Sequence, residues 1–489
     1  MNDSHDLRLI IESRIPVVII ETWEEKRALT LLSKLGIQLG MPVFAWSITD
    51  GLRRCDYDQA SSQTLTTEPE AALKHIRSTK LAGIYALCDF HPFLNDEPRI
   101  VRLIKDIALD AEETGQCLIL ISHAIDIPSE FKRHSARFSL SVPEDHKLRA
   151  AVYKEAQEFT NTKGRKVKTD RDALDKLISN LRGLSLDDAR KLARGAIFQD
   201  GAITHSDIAA VNKAKFELLD MEGVLSFEYD TANFAQVGGL SKLKDWLAKR
   251  ERAFNQHGDD SPKGIMLVGV QGGGKSLAAK AVAGLWGLPL LRMDMGALYN
   301  KFFGESERNV REALALAETM SPCVLWIDEI EKGIGSDAHD GGTSRRILAT
   351  LLTWMAERKH AVFVVATAND IQRLPPELIR KGRLDEIFFV DLPSEKVRQD
   401  IFAIHLKKRN FELQDFRCAE LSAATEGFTG AEIEQAIVAA RYSASARNEQ
   451  LTTAHILHEI SNTVPLAITM SENIDALRHW CQSRAVASD

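Results

Sequence analysis

The chain has 489 residues, too many for one ordinary core, and its 44% hydrophobic and 27% charged content is that of a soluble globular protein. A formal net charge of -7 argues against non-specific attraction to nucleic acid or to an anionic membrane. Cys55, Cys88, Cys117, Cys323, Cys418 and Cys481 are scattered with no C-x-x-C pair and read as buried thiols of a reducing compartment. No basic leader and no run near ~20 apolar residues is present, so a cytoplasmic location without membrane association is expected.

Ile15-Pro16-Val17-Val18-Ile19-Ile20 predicts a buried parallel strand. The residues after it, Glu21-Thr22-Trp23-Glu24, contain no glycine and cannot wrap a phosphate. Further strands are predicted over Val43 to Ile48, Gly83 to Cys88, Cys117 to Ile121 and Phe138 to Val142, separated by helical patterns such as Ile100 to Ala111. This alternation points to an open α/β sheet. Asp89 is read as a strand-end residue because Phe90-His91-Pro92 follows it rather than a second acid. Arg133 is read as a solvated surface residue.

The end of the first half has a counterpart further on. Phe138-Ser139-Leu140-Ser141-Val142-Pro143 runs in parallel with Phe388-Phe389-Val390-Asp391-Leu392-Pro393, and Leu181-Arg182-Gly183-Leu184-Ser185 mirrors Thr425-Glu426-Gly427-Phe428-Thr429. A diverged tandem repeat explains the shared order, with a first copy that has the architecture but no phosphate loop. The expected division is a degenerate core over 1–145, its helical lid over 146–200, a linker over 201–235, an active core over 236–393, a second lid over 394–465 and a C-terminal tail helix over 466–489.

In the second half an apolar run, Ile265-Met266-Leu267-Val268, stops at Gly269. Gly269-Val270-Gln271-Gly272-Gly273-Gly274-Lys275-Ser276 then fits the phosphate-loop pattern G-x-x-x-x-G-K-[ST] at every fixed place, and a helical pattern opens at Leu277. Glycines let successive N–H groups face inward around phosphate oxygens at the positive end of a helix. Lys275 would reach the β- and γ-phosphates of ATP, and the Ser276 hydroxyl would hold Mg²⁺. A second buried run, Cys323 to Ile327, ends in Asp328-Glu329: Asp328 is expected on the metal side, Glu329 as general base. Val362 to Ala368 ends at Asn369, which could bond the γ-phosphate and the lytic water. Arg380 and Arg383 lie three apart on a loop with no partner evident within one subunit. In a ring they could stabilise transition-state charge in a neighbour's site.

From about residue 234 to 465 the chain resembles the AAA family of ring-forming ATPases, in the branch that includes protein-remodelling unfoldases and meiotic-clade disassembly machines. The matching elements are Val237-Gly238-Gly239, the phosphate loop, Asp328-Glu329, Asn369, Arg380 and Arg383. The resemblance implies the three-layer phosphate-loop NTPase sandwich with a helical lid on each core, a homohexamer, and ATP hydrolysis between subunits. It also implies nucleotide contacts at Val237, Gly238, His405, Gly430 and Ala431. Lys301-Phe302-Phe303-Gly304 matches the family segment that projects an aromatic into the central pore, where Phe302 would grip a polypeptide. Residues 333–344 are expected to form a second mobile loop, with Arg345 and Arg346 after it. Over the full length the chain is similar to a divergent AAA group of plastid and cyanobacterial genomes. The expected function is ATP-driven remodelling or threading of a protein; the alternative is an ATP-dependent scaffold that binds a partner through its first module. A nucleic-acid motor is disfavoured by the net acidity and by Phe302-Phe303.

Overall fold

The structure is a computed structural model that describes residues 3–55, 64–95, 97–219, 225–229, 237–255, 261–296, 305–333, 343–371, 374–380 and 382–489. The chain divides into two compact units, Met1–Val142 and Pro143–Asp489.

The first unit is built on β1 (Val17–Glu21), β2 (Val43–Ser47), β3 (Gly51–Arg54), β4 (Gly83–Cys88), β5 (Gln116–Ser122) and β6 (Ser135–Phe138), in the order β3-β2-β4-β5-β1-β6. All neighbours run parallel except β2 and β3. Val17, Val18, Ile19 and Ile20 are all fully buried, as a central strand covered on both faces requires. The helix Pro98–Thr114 shows why one face is covered: Ile100, Leu103, Ile104, Ile107 and Ala111 recur at three- and four-residue steps and are buried. Proline at its first turn and left-handed Gly115 after its last set its ends. The last strand is Ser135–Phe138, not the predicted Phe138 to Val142. Beyond Phe138 the backbone is claimed by side chains instead: Ser141 donates its N–H to Asp3 and accepts from Arg27 at its carbonyl. Apolar alternation over Phe138, Leu140 and Val142 does not reveal that competition.

The second unit begins with four helices, Asp145–Lys163, Arg171–Leu181, Leu186–Asp200 and His205–Leu218, around their own core and a short parallel pair, β7 (Lys168–Thr169) with β8 (Ala202–Ile203). The next sheet contains β9 (Leu225–Glu228), β10 (Gly264–Gly269), β11 (Leu290–Asp294), β12 (Cys323–Asp328), β13 (Val362–Ala368), β14 (Glu386–Val390) and β15 (Val486–Ala487), in the order β15-β14-β10-β13-β12-β11-β9. Helices Glu395–Lys408, Cys418–Ala424, Gly430–Ala446 and Thr453–Ser461 form a lid with a separate core. The tail adds the helix Ser471–Cys481 and then β15, which extends the sheet beside β14. Lys215 ties the first helical group to the helix Glu305–Thr319 that packs on this sheet: its buried ammonium donates to the carbonyls of Asn180, Arg182 and Thr319 at 3.0, 2.6 and 2.6 Å.

The two large sheets share one plan. Five parallel strands follow each other as β6-β1-β5-β4-β2 and as β14-β10-β13-β12-β11, and an antiparallel strand, β3 or β9, closes the same edge of each. This agrees with the repeat read from the sequence. Among the described residues no helix is long and apolar enough to cross a membrane.

Candidate active site

The phosphate loop leaves the buried strand β10 and enters the helix Lys275–Trp286. Two glycines carry the turn in left-handed conformation, Gly272 at φ +77° and Gly274 at +96°. A methyl group at Gly269 would come to 2.1 Å from the carbonyl oxygen of Val390, so only glycine lets the loop leave the strand here. Lys275 is 7% exposed and donates to the carbonyls of Gly269 and Val270 at 2.8 and 2.9 Å. Burial pushes its ammonium down to about 8, against the attraction of Glu331, Asp328 and Glu329. Ser276 and Leu277 follow it, both exposed.

The acids stand at the end of β12, two strands away. Asp328 accepts from the Thr367 hydroxyl at 2.8 Å and from the Arg292 guanidinium at 2.7 Å. The same Thr367 hydroxyl accepts the N–H of Glu329 at 3.0 Å, so one buried side chain fixes both acids. Glu329 lies in a left-handed turn, φ +46°. Its carboxylate accepts from the Asn369 amide at 3.0 Å and pairs with Lys332. Asn369 also donates its N–H to Glu331 at 2.9 Å. Glu331 is buried, which raises its pKa, and its other carboxylate oxygen has no hydrogen-bond partner among the described residues.

Lid and lead-in close on this site from the side. The helix Gly430–Ala446 opens against the phosphate loop: a methyl group on Gly272 would lie 3.3 Å from the Ala431 side chain, and Ala431 donates its N–H to the Gly272 carbonyl at 3.4 Å. Val237 is buried, and Gly238 sits against Ile401 of the lid helix that carries His405. His405 is half-buried, its pKa lowered by that burial, and it pairs with Glu434 at 3.3 Å.

Arg380 and Arg383 belong to the opposite end of the sheet. Asp385 accepts the N–H groups of Lys263 and Gly264 at 2.6 and 2.9 Å, and the Lys263 ammonium donates to the Gly382 carbonyl at 3.0 Å. Residues 382–385 are thus pinned to the start of β10, whereas the phosphate loop leaves its end, roughly 17 Å away at ~3.3 Å per residue. Arg383 donates to the Glu377 carbonyl, and Arg380 is exposed. Lys301, Phe302, Phe303 and Gly304 lie outside the described residues, as do 334–342 of the second expected loop.

The family described as ATPase family associated with various cellular activities (AAA) matches residues 265–392. Residues 3–140 match a SpoVK-like AAA ATPase N-terminal domain, and residues 146–222 the second domain of the same kind. The AAA domain-containing protein ycf46 of Pyropia yezoensis is 37% identical over 98% of each chain, and that of Guillardia theta is 36% identical over 98% of this chain and 94% of its own. The proteasome-activating nucleotidase of Aeropyrum pernix is 35% identical over 54% of this chain and 68% of its own. The chain belongs to the AAA family. This AAA ATPase binds nucleotide and hydrolyses ATP to ADP and phosphate.

Three side chains that contact the residues of the candidate site escape the sequence reading: Thr367, Arg292 and Glu331. Thr367 has a visible trace, a lone hydroxyl inside the apolar run Val362 to Ala368. Such a residue is buried only with partners, and here the partners are the two acids. Glu331 could have been singled out as the third acid of Asp328-Glu329-Ile330-Glu331. Arg292 carries no local signal, since its role depends on β11 lying beside β12 in a register that pairs Asp294 with Asp328.

Proposed function

We propose that this protein is a ring-forming ATPase that remodels or threads a protein substrate, each ATP site being completed by an adjacent copy. The observation that carries the reading is the position of Arg380 and Arg383 at the far end of β10 from their own phosphate loop. Guanidinium groups placed there cannot serve the subunit's own γ-phosphate. They can serve another copy's if subunits pack head to tail around a ring.

Within one site, the Lys275 ammonium exchanges its two loop carbonyls for phosphate oxygens, which are stronger, charged acceptors. The main-chain N–H groups of residues 271–276 hold the phosphates. Glu329, kept in place by Asn369 and Lys332, takes the proton of the attacking water, and Asn369 orients that water. The hydroxyl of Ser276 and the carboxylate of Asp328 are hard oxygen donors of the kind Mg²⁺ takes together with water and phosphate oxygens, so the residues present fit that ion. When bound, Mg²⁺ neutralises charge on the β- and γ-phosphates. Arg380 and Arg383 from the neighbour balance the charge that builds as the γ-phosphate departs, and Val237, Gly238, His405, Gly430 and Ala431 hold the nucleotide from the lid side.

Imaging of the Glu329→Gln protein tests the assembly. With ATP it is expected to show closed rings of six; single copies under the same conditions would refute the ring. For threading, Phe302→Ala is expected to stop substrate processing while sparing ATPase. Unchanged processing would leave the second reading, an ATP-dependent scaffold that binds its partner through the first module.

A further inference from the structure

The first core carries a polar group that ATP hydrolysis does not use, and the strand registers say where it stands. Glu21 pairs with Ser122 as Val268 pairs with Ala368, which places Ser122 at the level of Ala368 and His123 at the level of Asn369. Cys88 pairs with Ile121, and Asp328 stands one step beyond the Ile327–Ala366 pair, so Cys88 answers to Asp328 and Asp89 to Glu329. Asp89 and Glu329 even share the left-handed backbone, at φ +50° and +46°. At the two positions where the second core sets a general base and a water-orienting amide, the first core thus has a carboxylate and an imidazole. His91 joins them from the turn after β4.

Asp89, His91 and His123 each offer a ligand atom, and the three atoms lie within 4.8 Å of one another. Their floor is the buried Ser122, whose hydroxyl is 2.7 Å from Nδ1 of His91, 3.4 Å from Nδ1 of His123 and 3.3 Å from the Asp89 carboxylate. Trp23 stacks on the His123 ring at 4.7 Å between centroids, and the two imidazoles meet edge to face at 4.8 Å. Asp89 and His123 are exposed, so the group is open to solvent on one side.

We propose that Asp89, His91 and His123 bind a first-row divalent transition metal, with Zn²⁺ the best fit. Two imidazoles and one carboxylate are the donor mix that Zn²⁺ takes, whereas Mg²⁺ and Ca²⁺ take oxygen donors. Around a tetrahedral ion with bonds of about 2.0–2.2 Å the donors sit roughly 3.3–3.6 Å apart. Closing from the present spacing therefore asks for side-chain movements on the order of 1 Å, with Ser122 and Trp23 limiting the rotamers the ligands can sample. Three protein ligands leave a fourth position for water or a small oxygen- or nitrogen-bearing ligand, which is the composition of an open site rather than of a closed structural one. The end of the sheet that binds nucleotide in the second core is, in the first, a metal site.

Metal-stripped full-length protein, titrated with Zn²⁺ alone against a chelating indicator without nucleotide or Mg²⁺, is expected to bind one tight equivalent. The His91→Ala/His123→Ala double variant is expected to lose it, and Lys275→Ala to retain it. Ser122→Ala should weaken it about 10–100-fold, the usual effect of removing a group that orients ligands. Asp89→Asn keeps the side-chain shape and is expected to lose the tight equivalent too, which guards against a double variant that fails to fold. X-ray absorption at the zinc edge is expected to show nitrogen and oxygen neighbours only. No tight equivalent in the unmodified protein, an equivalent that survives in the Asp89→Asn and double variants, or sulfur from any of the six thiols around the ion would each overturn the assignment.

Discussion

The exits of β1 and β10 occupy the same place in sheets of the same strand order, yet they are opposite in electrostatic character. After β10 the backbone turns through left-handed glycines into a helix, and a buried lysine waits with its ammonium on two loop carbonyls. After β1 there is a carboxylate instead: Glu21 accepts the Ile125 N–H at 3.1 Å and pairs with Arg137 at 2.8 Å. An acid held at that point repels a phosphate, and without glycine the backbone cannot present a row of N–H groups to one. Strand order is thus preserved by the buried faces, which both copies keep, while the chemistry is decided by a handful of residues at the strand ends.

The sharpest way to break the comparison is Lys275→Ala, which should abolish nucleotide binding in a fluorescent-nucleotide titration and with it all phosphate release. Retained binding would mean that the second core is not the site. A smaller effect is expected of Thr367→Val, which strips one acceptor from the Glu329 N–H and one donor from Asp328. Stability should fall by about 1–3 kcal/mol in a denaturant titration, and the hydrolysis rate should fall with it while ATP still binds. An unchanged rate would mean that the two acids hold their places without the hydroxyl.

Proton linkage gives a milder test. The Lys275 ammonium sits at about 8 because it is buried, and phosphate charge drawn beside it favours the protonated form. ATP binding should therefore take up a proton once the pH exceeds about 8. Affinity should weaken by up to about tenfold per pH unit above that point, and hold steady below it. Calorimetry in buffers of different ionisation enthalpy reads the uptake directly. The smallest effect belongs to the first core: Glu21→Gln should leave ATP turnover unchanged, and a fall would show that its strand end contributes to hydrolysis.

Much of this arrangement was legible in the amino-acid order because phosphate binding is local. Gly269 to Ser276 lie in one turn, and the apolar runs Cys323 to Ile327 and Val362 to Ala368 deliver Asp328, Glu329 and Asn369 to a common edge with little help from elsewhere. What could not be read depends on which strands become neighbours. The Arg292 contact with Asp328 needs β11 beside β12. Asp89, dismissed as a strand-end residue, acquires Ser122 and His123 as companions only when β4 pairs with β5. The anchoring of Gly382 and Asp385 at the start of β10 likewise follows from pairing across about 120 residues, of which local periodicity carries no trace.

Mixing two inactive variants measures the trans role of the arginines most directly. Arg380→Ala subunits keep Lys275 and Glu329, and Lys275→Ala subunits keep Arg380, so a ring built from both contains interfaces with every required group. Phosphate release is expected to be near zero for each variant alone and to reappear on mixing, with a maximum at comparable amounts of the two. Full turnover by the Arg380→Ala protein alone, or by unmodified protein diluted to a single copy, would contradict completion of the site by a neighbour.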